Sequence, residues 1–136
     1  MAYWLMKSEP NVNSYDDVVN RGVPEEWHSV RNYAARNNMR AMKLGDQAFF
    51  YHSREGLEIV GICEVSVSGI TDPTDPEGKW AAVKVKPKTK LPHAVTLKQI
   101  KAEPQLENCE LVKLSRLSVA EITPDEWSVI CSMAGI

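Results

Sequence analysis

Between Leu57 and Val67 the chain alternates Ile59, Gly61, Cys63, Val65 and Val67 with Val60, Ile62, Glu64 and Ser66. Its first half is therefore apolar on both faces. A strand buried on two sides must be covered from above and below, which places it inside a closed or covered sheet. Gly61 in that run marks a bend or a close backbone approach.

The remaining segments supply partners for such a strand. Tyr3 to Lys7 reads as a short aromatic strand ended by Pro10, and Gln47 to His52 as a second. Trp80 to Lys86 reads as a third, with Ala81, Val83 and Val85 on one side. Lys84, Lys86, Lys88 and Lys90 alternate through it and past Pro87. They suit either a strip for phosphates or the usual lysine protection of an exposed edge, and the second is the simpler reading. Glu110 to Ser115 and Leu117 to Ile122 are expected to be strand or extended chain, and Asp72 to Gly78 a loop.

Helices announce themselves by their ends. Ser14 to Arg21 has a capping serine, Asp17 three residues on, and Gly22 after its end. Arg31 to Lys43 is closed by Gly45, with Ala35, Met39 and Met42 as its buried stripe. Thr96 to Lys101 is short and capped by Thr96. Thr123-Pro124-Asp125-Glu126 opens a final helix that buries Trp127 and Ile130. The sum is a mixed α/β (α+β) chain, expected to form a small β-barrel with short helices packed around it. An open α+β sandwich is the alternative.

Residues 1–136 are expected to form one domain, long enough to bury a core without staples. The net charge of −2 does not mark the whole molecule as a nucleic-acid binder. Cys63, Cys109 and Cys131 form no CxxC pair, and His28, His52 and His93 lack zinc-ligand spacing, so neither metal nor cofactor is expected. The few apolar residues before Lys7 are too short for a signal peptide, and no apolar run approaches a membrane span. These features fit a reduced, soluble, cytoplasmic protein acting as a monomer.

Chemistry concentrates between Trp27 and Arg40. That stretch holds Trp27, Tyr33, Arg31, Arg36, Arg40, Asn32, Asn37 and Asn38 and contains no carboxylate. Aromatic faces stack on bases, guanidinium forks fit phosphate, and side-chain amides read base edges. With Lys43 the segment carries a local excess of positive charge on a mildly acidic body, which suits a small, confined contact. The plainer alternative is an amphipathic helix whose arginines are merely solvated. A hydrolase using His52 with Ser53, Ser29 or Cys63 is a further option. It lacks a nucleophile elbow, a metal spacing and a phosphate loop.

Taken in order, Tyr3-Trp4-Leu5-Met6-Lys7-Ser8-Glu9-Pro10, Trp27-x-x-Val30-Arg31-Asn32-Tyr33-x-Ala35-Arg36-Asn37 and Thr123-Pro124-x-Glu126-Trp127 resemble the EVE domain family. Arg40-Ala41-Met42-Lys43-x-Gly45-Asp46, Ala48-Phe49-Phe50-Tyr51-His52-Ser53, Gly61-Ile62-x-Glu64-Val65, Lys79-Trp80 and Arg116-Leu117-Ser118-Val119 extend the likeness over nearly the whole chain. The resemblance implies a PUA-like pseudo-barrel related to YTH domains. It also implies a non-enzymatic reader of a modified base in DNA or RNA.

By that resemblance Trp27 is a cage tryptophan, and Ser29 and Asn37 address the base edge. Lys7 and Ser8 line the same pocket, while Tyr33, Trp80 and His52 are either base-binding or structural. Arg31, Arg36, Arg40 and Arg116 are expected to hold phosphates, which position a ligand without specifying it. Trp27→Ala is expected to abolish binding at a stability cost within ~1–2 kcal/mol. Relatives commonly carry Gly where this chain has Ser29 and Gln at Ala34. Many also carry a long insertion before Lys79-Trp80, and losing a pocket wall supplied by it would leave a shallower site here.

Overall fold

The computed structural model describes residues 1–136. The chain runs β1 (Tyr3–Ser8), α1 (Pro10–Asn13), α2 (Tyr15–Arg21), β2 (Glu25–Trp27), α3 (Tyr33–Ala41) and β3 (Gln47–His52). It continues through β4 (Glu58–Thr71), β5 (Ala81–Thr96), α4 (Leu97–Ala102), α5 (Glu110–Lys113), β6 (Val119–Ile122) and α6 (Pro124–Ala134). The six strands form one sheet in the order β2-β5-β4-β3-β1-β6. β1 and β3 are parallel, and every other neighbouring pair is antiparallel.

The fold is the expected mixed α/β arrangement, but hydrogen bonds do not close the sheet into a barrel. β2 and β6 are its ends, and α3 packs against β4, β5 and β6 across the gap. Asn38 Nδ2 donates to the Val119 carbonyl of β6 at 2.7 Å, so the helix also satisfies part of the free edge. Asn32 caps this helix by accepting from the Ala35 amide at 3.0 Å, which starts it later than Arg31. Its stripe of Ala35 and Met39 is buried, and Met42 is buried just beyond its end.

The core lies along β1, β3 and β4, with Leu5, Phe49, Phe50 and Ile59 essentially inaccessible. Trp127 stacks on Phe49 at 3.8 Å and on Tyr3 at 4.4 Å, so it belongs to this interior. Gly61 is a close-approach position, because the ring of Tyr15 lies directly over its α-carbon. Tyr15 donates its hydroxyl to the Ile62 carbonyl at 3.0 Å and packs edge-on against Phe50. Ser14 and Asp17 form the reciprocal capping bonds that aim this tyrosine inward from the start of α2.

Two expectations change. Glu110–Lys113 is a helix, not extended chain. Glu, Leu and Lys favour helix, and the Cys109 carbonyl accepts from both the Val112 and Lys113 amides at 3.0 Å. β5 is also far longer than its sequence suggested, crossing Pro87 and Pro92. Only Val83 to Val85 pair with β2, so beyond them one side of β5 is unpaired and accepts residues without an amide proton. The lysines of β5 are accordingly mixed in role. Lys84 lies opposite Glu26, Lys86 pairs with Glu64 at 3.4 Å, and Lys90 pairs with Asp16 at 3.0 Å.

Candidate functional site

A cleft of about 560 Å³ opens where β1 ends against α1 and β2. Its lining includes Lys7, Ser8, Glu9, Asn13, Glu25, Glu26, Trp27, His28 and Ser29. Such a volume lies in the range of small-ligand sites, roughly 300–1,000 Å³. The short β2 carries Trp27 to the cleft by pairing it with Val83. Trp27 is 9% exposed, and its indole meets Phe50 edge-on at 5.5 Å. It is thus a core residue and a cleft wall at once. The small stability cost expected for Trp27→Ala is therefore revised to about 3–5 kcal/mol, as for other buried aromatics.

The opposite wall is held by short polar contacts. Ser8 Oγ donates to the Asn13 carbonyl at 2.6 Å, tying α1 to β1. Arg21 bridges Asn13 Oδ1 at 2.6 Å and Glu25 Oε2 at 2.7 Å, while Asn13 Nδ2 donates to Glu25 Oε1 at 3.2 Å. Lys7 is half-buried, and burial pulls its ammonium below the usual lysine value. It donates to the Ser115 carbonyl at 2.8 Å. Glu9 is paired with Arg54 at 2.9 Å, and Glu26 lies in the β2 ladder opposite Lys84. Of the three carboxylates that line the cleft, Glu25 and Glu9 are paired with Arg21 and Arg54, which leaves Glu26 without a salt bridge.

The loop behind Trp27 is set by one buried acid. Asp72 Oδ2 accepts from the Ser29 amide at 2.7 Å and from Arg31 Nη1 at 2.9 Å. Its Oδ1 accepts from both the amide and the hydroxyl of Thr74 at 2.7 Å, and Arg31 Nη2 reaches Thr74 Oγ1 at 3.1 Å. Burial alone would push the Asp72 carboxyl up. The donors from Thr74, Arg31 and Ser29 outweigh it and hold the group well below the usual carboxylate range.

Ser29 sits at φ 61°, the left-handed region, which glycine enters without the steric cost of a β-carbon. Removing that strain gains roughly 1–2 kcal/mol, while glycine's extra chain entropy costs roughly 0.5–1 kcal/mol. Ser29→Gly should therefore stabilise the protein by about 0.5 kcal/mol in urea unfolding. A clear loss would instead assign weight to the 2.8 Å contact between Ser29 Oγ and His28 Nδ1.

The candidates that looked like one group in sequence occupy separate places. Lys7, Ser8, Trp27 and Ser29 share the cleft. Tyr33, Trp80, Arg31 and Arg36 gather in a second cluster, with Tyr33 and Trp80 stacked at 5.0 Å. Arg40 joins it by donating to the Lys79 carbonyl at 3.0 Å, and Asn37 accepts from Arg36 at 3.0 Å. Arg116 lines a neighbouring cavity of about 390 Å³ that shares Lys7 with the cleft.

His52 faces α2, where Nε2 accepts from the Tyr15 amide at 3.1 Å, and burial lowers its basicity. It bonds to none of Ser53, Ser29 or Cys63, and burial pushes the Cys63 thiol up to about 12. Asp72, Asn13, Glu25 and Glu26 escaped sequence reading. Only Asp72 left a local signal, the Asp-x-Thr turn in which its side chain bonds two residues on.

An incompletely hydrogen-bonded six-stranded sheet, bridged by α3 and bearing a cleft at the end of β1, defines a PUA-like domain. Residues 2–133 match the EVE domain, and the chain belongs to that family. Thymocyte nuclear protein 1 of Mus musculus is 33% identical over 96% of this chain and 73% of its own length. Uncharacterized protein C21.03c of Schizosaccharomyces pombe is 33% identical over 94% of this chain. The chain spans 66% of that yeast protein's length. The mouse alignment extends over 166 positions against 136 residues here, so that relative carries insertions within the shared region.

Among solved structures, protein Atu2648 of Agrobacterium tumefaciens superposes with a TM-score of 0.95 at 48% identity, covering 100% of this chain and 94% of that one. The human THYN1 protein in complex with 5-methylcytosine-containing DNA gives 0.90 at 28%, covering 100% and 99%. A YTH domain of Zygosaccharomyces rouxii MRB1 protein, in complex with N6-methyladenosine RNA, gives 0.61 at 17%, covering 99% and 87%. That last likeness speaks to fold alone.

Proposed function

We propose that this protein is a non-enzymatic nucleic-acid-binding module that takes one modified base, turned out of its strand, into the cleft beside Trp27. The observation that carries this reading is a single indole forming the wall of an open cleft of about 560 Å³ that is lined by carboxylates. An aromatic wall favours a methylated base over the bare one, because methylation adds apolar surface. Stacking contributes roughly 1–3 kcal/mol per base. Glu26 provides an acceptor for an exocyclic N–H group, in the way acidic side chains accept from cytosine N4. The human THYN1 complex with methylcytosine-containing DNA supports the same class of ligand.

A panel of modified and unmodified nucleosides and short oligonucleotides tests this by titration. Preference for at least one modified base is expected. Trp27→Phe keeps a ring against Phe50 and should reduce that preference about tenfold, equivalent to about 1.4 kcal/mol. Equal affinity of the wild type for every modified and unmodified base would overturn the reading. The phenylalanine variant is the informative one, since Trp27→Ala loses core packing as well.

A further inference from the structure

Outside the cleft, an aromatic and cationic cluster lies at the start of α3. Tyr33 and Trp80 lie nearly parallel, at 5.0 Å and 29°. The Arg36 guanidinium carbon is 4.8 Å from the Tyr33 centroid, and Arg31 is 5.3 Å from that of Trp80. The Lys79 ammonium stands 5.4 Å from Tyr33 and 5.8 Å from Trp80. Tyr33 is 53% exposed, so this is no interior contact.

The cations of this cluster are poorly neutralised. Arg36 and Arg40 donate to the Lys79 carbonyl at 3.3 and 3.0 Å, and neither they nor Lys79 form a salt bridge. The nearby acids are already engaged. Asp72 binds Arg31, and Asp75 accepts from the Glu77, Lys79 and Trp80 amides. A merely solvated helix face usually interleaves both signs, whereas here exposed aromatic surface lies under free cations. That combination holds unpaired strands, with bases on rings and phosphates on cations.

The cluster is also joined to the cleft. Asp72 bonds both the Ser29 amide at the cleft rim and the Arg31 guanidinium across Trp80. Accepting the cleft as a base pocket, we infer that the Tyr33–Trp80 pair is a second contact. It stacks a neighbouring unpaired base of the same strand, while Arg36, Arg40 and Lys79 hold the adjoining phosphates. The cleft then selects the base, and this platform supplies affinity without selection.

The test uses fluorescence anisotropy at two salt concentrations with the whole chain. Its probes are a modified nucleoside and unstructured oligonucleotides of roughly eight nucleotides, a length within the usual single-strand site size. Each oligonucleotide is made with and without the modified base, in DNA and RNA form. Tyr33→Ala is expected to weaken oligonucleotide binding about tenfold or more, to modified and plain strands alike.

Lys79→Gln changes an exposed side chain and Arg36→Gln a half-buried one outside the core, and the pair guards against misfolding. Each should weaken both strands and lower the salt slope by about one. Nucleoside affinity and the modified-to-plain ratio should not change. Unchanged oligonucleotide affinity in the two charge variants overturns the platform while leaving the cleft reading intact. A drop in nucleoside affinity overturns it too, because the cluster would then belong to the cleft. Absence of any binding by the wild type removes both readings.

Discussion

Gly61→Ala is expected to destabilise the protein by about 2–4 kcal/mol, a large loss for one methyl group. A β-carbon at this position would lie 2.4 Å from Cε1 and Cζ of Tyr15 and 2.7 Å from Cδ1. The ring has no easy way to yield. Its hydroxyl is fixed on the Ile62 carbonyl at 3.0 Å, its edge rests against Phe50, and its backbone amide is held by His52. Overpacking of a filled core costs roughly 1–3 kcal/mol, and displacing the buried hydroxyl from its acceptor adds about 1 kcal/mol more.

Equilibrium urea unfolding checks this through the midpoint, with the slope unchanged. The cause is tested by repeating Gly61→Ala in a Tyr15→Ala background, where the penalty should shrink to below about 1 kcal/mol. A penalty that persists there would locate the strain in the β4 backbone instead. Function should follow structure. Tyr15 begins α2, two residues after Asn13 of the cleft wall, so a displaced ring should also disturb the proposed base-binding cleft.

That glycine shows which parts of this protein can be read from its sequence. An isolated Gly in a strand apolar on both faces announces a close neighbour, although not that the neighbour is Tyr15. Local chemistry was equally legible at Ser14–Asp17 and Thr123–Glu126, where both bonds of each capping box form as their spacing implies. Glu110–Lys113 was not legible. A single helical turn leaves no periodicity to detect, and the Cys109 carbonyl that anchors it is invisible as composition.

The site divided along the same line. Trp27 to Arg40 holds the right residue types for nucleic acid, yet a left-handed residue at Ser29 and an N-cap at Asn32 turn the chain between its two aromatics. Trp27 goes to the cleft and Tyr33 to the outer cluster. The agent of that separation, Asp72, lies 43 residues from Ser29 in sequence, beyond the reach of any local pattern.

Asp72→Ala should therefore have the widest consequences of any single change outside the central strands. It leaves the Ser29 amide, the Thr74 amide and the Arg31 guanidinium without their acceptor. Removing one partner of a buried ion pair costs about 3–5 kcal/mol. Asp72 itself has no exposed side-chain surface, although Arg31 is 41% exposed and recovers some solvation, so the lower end of that range is expected. Asp72→Asn preserves shape but replaces an acceptor oxygen with a donor, and about 2 kcal/mol is expected.

The pH dependence separates charge from shape. The folded-state carboxyl lies below its unfolded value of about 3.9, so its stabilisation is complete above that value and is lost as pH falls through the range beneath it. Wild-type stability should decline below about pH 4, and Asp72→Asn should flatten that decline while being less stable at pH 7. Equal acid sensitivity in both proteins would show that other carboxylates control acid unfolding. Binding discriminates further. Because Asp72 holds the Ser29 rim and the Arg31 edge of the Tyr33–Trp80 cluster together, its loss should weaken nucleoside and oligonucleotide binding alike, a pattern that neither Trp27→Phe nor Arg36→Gln reproduces.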